Sequence, residues 1–118
     1  MSSRLPEHEL SFAELVWAHE PLSSGDLVKL CEQTLGWKKS TTYTVLKKLC
    51  DKKLLVNRDS VVSSLVLKDE YRARESQRFV DDVFNGSLPR FVATFFQGRS
   101  LGDDQIAELQ RLIDEHRE

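Results

Sequence analysis

Residues 37–58 concentrate the chemistry of this chain: Trp-Lys-Lys-Ser-Thr-Thr-Tyr-Thr-Val-Leu-Lys-Lys-Leu-Cys-Asp-Lys-Lys-Leu-Leu-Val-Asn-Arg. Seven of the 22 are Lys or Arg and only Asp51 is acidic, a net +6. The whole protein has 17 basic and 19 acidic residues, so everything outside this window carries −8. Lys38 and Lys39 lead, the hydroxyls of Ser40, Thr41 and Thr44 follow, and Lys47 and Lys48 come next. Small hydroxyls reach base edges and phosphates without bulk, and lysines neutralise phosphate from further out. Positive charge gathered so tightly is an electrostatic footprint for phosphate. Solvated helix faces also carry charge runs. The elements that position these residues decide between the two.

A helix with Ser40 as N-cap, following the turn Gly36-Trp37-Lys38-Lys39, places Thr42, Val45, Leu46, Leu49 and Lys53 on one side. The opposite face then holds Thr41, Thr44, Lys47, Lys48 and Asp51, with Tyr43 at the flank, where its ring can lie along a sugar-phosphate backbone. The segment before it supplies a second helix. Pro21-Leu22-Ser23-Ser24-Gly25-Asp26 is turn and cap chemistry, with Ser23 or Ser24 as the cap. Leu27, Leu30, Cys31, Thr34 and Leu35 then recur as one face over two turns, and Gly36 suits the left-handed residue that ends such a helix. Two helices joined by a short Gly-containing turn predict a helix-turn-helix whose second member enters the major groove. Leu10, Ala13, Val16 and Trp17 predict a further amphipathic helix upstream that closes the core.

Leu54-Leu55-Val56 and Val61-Val62, continued by Leu65-Val66-Leu67, read as two short strands around the polar turn Asn57-Arg58-Asp59-Ser60. Three helices and a hairpin make a winged helix, with Arg58 at the tip of a stubby wing. From Lys68 the composition changes. Helices are expected over 68–84, 88–96 and 103 to about 116, separated by Asn85-Gly86-Ser87 and by Gly98 to Gly102, with Pro89 tolerated in a first turn. The predicted fold class is mainly α with a small β wing. Residues 1–67 form a winged helix-turn-helix domain and residues 68–118 a helical dimerisation region.

Five of the six phenylalanines lie between residues 79 and 96, in a tail only 51 residues long. A segment of that size rarely builds its own core, and an exposed apolar patch on it asks for a partner. A two-fold dimer resolves this, burying Phe79, Val83, Phe84, Leu88, Phe91, Val92, Phe95, Ile106, Leu109 and Ile113. It also provides two recognition helices at fixed spacing, as a helix-turn-helix reader requires.

Enzyme chemistry finds no support. His8, His19 and His116 are far apart, without Cys, Asp or Glu partners at metal-ligand spacing, and no cofactor is expected. Asp81-Asp82 and Asp103-Asp104 fit a solvated face and a helix start. At 40% hydrophobic and 31% charged the chain is globular. There is no signal-peptide pattern or run of transmembrane length, so a cytoplasmic protein without membrane contact is expected. Two cysteines make no disulfide framework, and Cys31 reads as a small buried hydrophobe while Cys50 is semi-exposed. The rival is a winged-helix protein-interaction module without specific DNA binding. Segregation of +6 onto one helix and wing favours DNA.

Nearly the whole chain, in order, resembles the penicillinase-repressor (BlaI/MecI/CopY-like) transcriptional regulators. The resemblance is carried by Ala13-Glu14-Leu15-Val16-Trp17, by Leu35-Gly36-Trp37 through the Trp-x-x-Ser-Thr-x-Tyr-Thr-x-Leu-x-x-Leu block to Leu49, by Glu70-Tyr71 with Glu75-Ser76, and by Phe84-Asn85-Gly86-Ser87-Leu88. It implies a dimeric bacterial winged-helix repressor on a dyad operator in double-stranded DNA, with β-lactamase or copper-homeostasis genes as usual targets. For antibiotic-responsive members it implies a regulatory protease as a further partner. Two departures matter. Copper-responsive members carry Cys-x-Cys pairs at the C-terminus, whereas this chain has no cysteine after Cys50. Antibiotic-responsive members are cut at an Asn-Phe bond, and the nearest equivalent here is Thr94-Phe95.

Overall fold

The computed structural model describes residues 4–118. Helix α1 (Glu7–His19) precedes a two-residue strand β1 (Leu22–Ser23), α2 (Ser24–Leu35) and α3 (Lys39–Asp51). Strands β2 (Leu55–Arg58) and β3 (Val61–Ser64) form the wing, and α4 (Lys68–Phe84), α5 (Leu88–Phe95) and α6 (Asp103–Glu115) complete the chain. The mainly α winged helix expected from the sequence is the fold observed. No helix among the described residues is long and apolar enough to cross a membrane.

The core gathers one stripe from each of the first three helices. Phe12, Ala13 and Val16 of α1, Leu27 and Cys31 of α2, and Val45, Leu46 and Leu49 of α3 are buried together with Leu55 and Val62 of the wing. Phe12, which the amphipathic stripe of α1 did not single out, is fully buried and stacks on Trp37 with ring centroids 5.8 Å apart. Thr34 instead faces solvent, and its hydroxyl donates to the Leu30 carbonyl. Trp17 is half-buried and donates its indole N–H to the Val66 carbonyl at 2.9 Å. Tyr71, in the first turn of α4, joins this core, and its hydroxyl accepts the Leu5 N–H at 3.0 Å.

The wing differs from the expected hairpin in three ways. Asn57 and Arg58 belong to β2, so the turn is only Asp59-Ser60, and both residues have positive φ (50° and 64°). A two-residue turn with left-handed conformations matches strand twist, and Asp tolerates that region better than most side chains. Residues 65–67 do not continue β3; the Leu65 and Val66 N–H groups both turn back onto the Leu54 carbonyl. Finally, β1 adds a third strand, giving the antiparallel order β1-β3-β2 with Leu22 opposite Val62. Glu20 fastens the other end of β3: its carboxylate accepts both the backbone N–H of Ser64 (2.7 Å) and the Ser64 hydroxyl (2.8 Å).

The chain divides into two compact units, one ending at Arg78 and the other comprising Phe79–Glu118. The division falls within α4, whereas the change of composition marks its start at Lys68. In the second unit, Asn85 and Gly86 take left-handed conformations, and the Ser87 hydroxyl caps α5 by accepting the Arg90 N–H. Phe79, Phe84 and Phe91 meet pairwise with centroids 5.5–6.0 Å apart. Yet no described residue of this unit is buried.

One polar group in the core of the first unit demands a partner. Glu9 is 4% exposed on α1, and Lys52, just past the end of α3, meets its carboxylate at 2.7 Å. Lys52→Met should strand that carboxylate and destabilise the fold by about 1–3 kcal/mol, seen as a lower urea midpoint at unchanged slope. The double variant Glu9→Leu/Lys52→Met should recover most of the loss, because removing both partners of such a pair is close to neutral.

Candidate nucleic-acid interface

Helix α3 starts earlier than Ser40. Its N-cap is Lys38, which has no capping side-chain bond, and Ser40 sits inside the first turn, where its carbonyl accepts the Thr44 hydroxyl at 2.9 Å. The far end closes at Lys53, which is not on the inward stripe: it is exposed, with φ 65°. The Lys53 N–H reaches the Cys50 carbonyl and the Leu54 N–H reaches the Leu49 carbonyl, a left-handed C-terminal stop with a cation at the negative end of the helix.

Between these ends the stripe Thr42, Val45, Leu46 and Leu49 is buried and everything facing away is exposed. Lys38, Lys39, Ser40, Thr41, Tyr43, Thr44, Lys47 and Lys48 therefore share one solvent-facing surface. Arg58, also exposed, ends β2 beside the wing turn. The seven cations of the window are not equivalent. Lys52 is held by Glu9, and Lys47 lies 3.2 Å from Asp51, four residues along the same helix. Among the described residues, Lys38, Lys39, Lys48, Lys53 and Arg58 make no ion pair. Those five hold the positive charge that is not locally neutralised.

The hydroxyls divide in the same way. Thr44 spends its proton on the Ser40 carbonyl, which leaves its lone pairs and methyl group facing out. Such a threonine accepts from a base donor or packs on a thymine methyl. Tyr43 is 38% exposed, with the Lys39 ammonium 6.0 Å from its ring centre and its own hydroxyl 3.4 Å from the Ser24 hydroxyl of α2. That last contact links the two helices of the helix-turn-helix across the buried start of α2. The Ser23 hydroxyl caps α2 by accepting the Asp26 N–H at 3.0 Å, and Gly36, at φ 67°, ends it.

Neither thiol adds reactivity to this surface. Burial pushes the Cys31 thiol above its ordinary pKa, with a smaller opposing effect from Thr42 beside it. Cys50 is raised by burial and then by the Asp51 charge. Both therefore remain protonated near neutral pH.

Sequence reasoning overlooked Ser24 as the α2 residue that meets Tyr43, and Glu9 as the group that claims Lys52. The first had a signal in the Ser23-Ser24 pair. The second had none, since 43 residues separate its partners.

The expected dimer-interface residues all fall on unburied surface. Phe79, Val83, Leu88, Phe95, Ile106, Leu109 and Ile113 are 40–61% exposed, and Phe84, Phe91 and Val92 are half-buried.

Comparison with known proteins adds an independent line. The family model described as penicillinase repressor matches residues 5–115. The penicillinase repressor of Bacillus licheniformis is 25% identical over 97% of this chain and 92% of its own length. The methicillin resistance regulatory protein MecI of Staphylococcus aureus is 22% identical, covering 89% of each chain. A protein of that name from Mammaliicoccus sciuri is 23% identical over 90% of this chain and 94% of its own.

Proposed function

This chain belongs to the penicillinase repressor family, and on that premise we propose that it is a dimeric, sequence-specific transcriptional repressor that reads a dyad DNA operator with α3. Residues 1–67 supply the DNA-reading module and residues 68–118 the dimerisation region. The observation that carries this reading is the outward face of α3. It combines the unpaired cations Lys38, Lys39 and Lys48 with the exposed hydroxyls of Ser40 and Thr41, on a helix whose other face is buried. Lysines at its two ends can engage phosphates on either side of a groove while Thr41 and Thr44 meet base edges. Tyr43 and the wing residue Arg58 extend the contact along the backbone. Repression by occupying DNA needs no catalytic group.

Dimerisation is inferred from the second unit. Seven large apolar side chains of the expected interface stand exposed there, with no buried residue to replace them. Water-exposed apolar surface of this extent is stabilised by a second copy of itself. A regulatory protease acting on α5 would release the DNA by removing dimer contacts, since a monomer loses the advantage of two tethered half-sites.

For operator binding, about three phosphates per half-site give a dimer about six, and log affinity should fall with log salt at a slope near about −5. Lys48→Ala should weaken all duplexes alike and flatten that slope by about one, whereas Thr41→Ala should relax base preference by about 1–3 kcal/mol per lost contact. Gel-shift titrations at several salt concentrations measure both. A slope near zero for the unaltered protein would favour a protein-docking module instead.

For the dimer, Ile113→Asp or Phe79→Asp in the full chain should sediment as a monomer and lose most operator affinity, since each places an unpaired charge in the buried contact. Ile113 is 61% exposed within one chain, so its substitution spares the monomer fold. A dimer that survives both changes would move the interface elsewhere.

For the protease, an enzyme specific for Asn-Phe bonds should leave Thr94-Phe95 intact and cut the Thr94→Asn variant once α5 opens locally. Mass analysis of the fragments reads the result, and cleavage of the unaltered chain at that bond would contradict it.

A further inference from the structure

A second cluster of cations surrounds a cavity of about 430 Å³ between the N-terminal segment, the end of α3 and residues 71–78 of α4. Leu5 and Leu54 give it apolar walls, while Arg4, Lys52, Arg74 and Arg78 surround a single lining carboxylate, Glu75; with Lys52 balanced by Glu9, the three arginines and Glu75 leave a net +2 around one hollow. That carboxylate is already shared, lying 3.8 Å from the Arg4 guanidinium and bonded to the Tyr71 hydroxyl. Glu9, which holds Lys52, is not part of the lining. Arg78 is the group left over. Its Nη1 is buried and, among the described residues, has no hydrogen-bond partner. Buried guanidinium N–H groups are rarely left without an acceptor, and an anionic acceptor would also offset the surrounding charge.

Arg74 and Arg78 stand one turn apart on α4 and so lie on the same helix face. Planar guanidinium forks match the two oxygens of a carboxylate or phosphate better than any other side chain. The volume is that of a small-molecule site, and apolar walls with a few convergent polar groups are the usual composition of one. We propose that this cavity binds a small organic molecule bearing a carboxylate or phosphate group, its oxyanion on Arg74 and Arg78 and its apolar part against Leu5 and Leu54. The ligand would meet Lys52 at the end of α3 and the arginines of α4 at once, touching none of the residues assigned to base contact. The proposal goes beyond operator recognition and does not depend on it.

Isothermal titration of the full chain at constant ionic strength tests it, with inorganic phosphate in one arm, succinate in another and chloride as control. One site per protomer, with a dissociation constant of millimolar or tighter for phosphate or succinate, is expected, and the tighter arm identifies the head group. Arg74→Ala and Arg78→Ala should each weaken binding at least tenfold, while Arg111→Ala on α6 leaves it unchanged. Arg74 is exposed, so its variant keeps the test meaningful if Arg78→Ala does not fold. Binding that survives both arginine changes but is lost in Lys48→Ala would overturn the proposal, because the ions would then sit on the outward face of α3. No binding in either arm would overturn it too. So would Arg78→Ala that shifts only the sedimentation coefficient, since the guanidinium would then serve carboxylates of a second copy.

Discussion

The first unit depends on a single constraint: α3 has one stripe to bury, and the stripe leaves nothing apolar for the other side. Thr42, Val45, Leu46 and Leu49 interlock with Phe12, Leu27 and Val62, and each fully buried large side chain contributes about 2 kcal/mol relative to exposure. Rotating α3 by a third of a turn would bring Lys48 or Thr41 into that core and expose Leu49. The orientation of the outward face is therefore fixed by packing on the inward one. A surface built this way is held by the packing beneath it. Its side chains can keep their polar groups for a ligand, apart from the pairs Thr44 with Ser40, Lys47 with Asp51 and Tyr43 with Ser24 of α2.

Around that core, three polar clamps fix what the short elements cannot. A strand as brief as Leu22–Ser23 has two residues to hold it, and the Ser24 N–H bond to the Ser60 carbonyl extends the tie to the wing turn. Glu20 ties the end of β3 back to the end of α1. The Tyr71 hydroxyl ties the N-terminal segment to α4, and burial raises that phenol's pKa further above neutrality. Each clamp joins residues more than 30 apart, so none is visible in local periodicity. The second unit has no such clamps among its described residues, and its aromatic rings meet without enclosing one another. Its Phe79–Phe84–Phe91 contacts organise a surface more than they make an interior.

These differences track what a sequence can display. Helical periodicity is local, and the stripes of α2 and α3 (apart from Thr34 and Lys53), the helix breaks at Gly36 and Asn85-Gly86, and a cap at Ser23 or Ser24 were legible. The start of α3 was not. Ser40 has the better capping side chain, but the N-cap is Lys38, directly after Trp37, whose ring stacks on Phe12. The strand β1 is too short to show alternation and exists only because β3 offers an edge. Lys52 and Lys53 look identical to Lys47 and Lys48 in a charge count. One is claimed by a distant glutamate and the other closes the helix in a left-handed turn. For the candidate site, the outward residues of α3 were readable from spacing alone, while the pairing that ranks them was not.

That ranking changes what the charge can accomplish. A net +6 over the window counts Lys47, Asp51 and Lys52, whose charges are largely balanced where they sit, so the effective positive surface is smaller and sharper. Lys38 and Lys39 mark one end of α3, Lys48 and Lys53 the other, and Arg58 the wing. The remainder of the chain carries a net −8, and a net negative charge is on average unfavourable for a polyanion. In the proposed reading the field thus favours an orientation before any base is touched, with the unpaired cations of α3 and the wing toward the DNA. Phosphate contacts then hold that orientation and hydroxyl contacts discriminate within it. A chain with net charge −2 can bind DNA on these terms because the sign of the total matters less than where the cations are left unpaired.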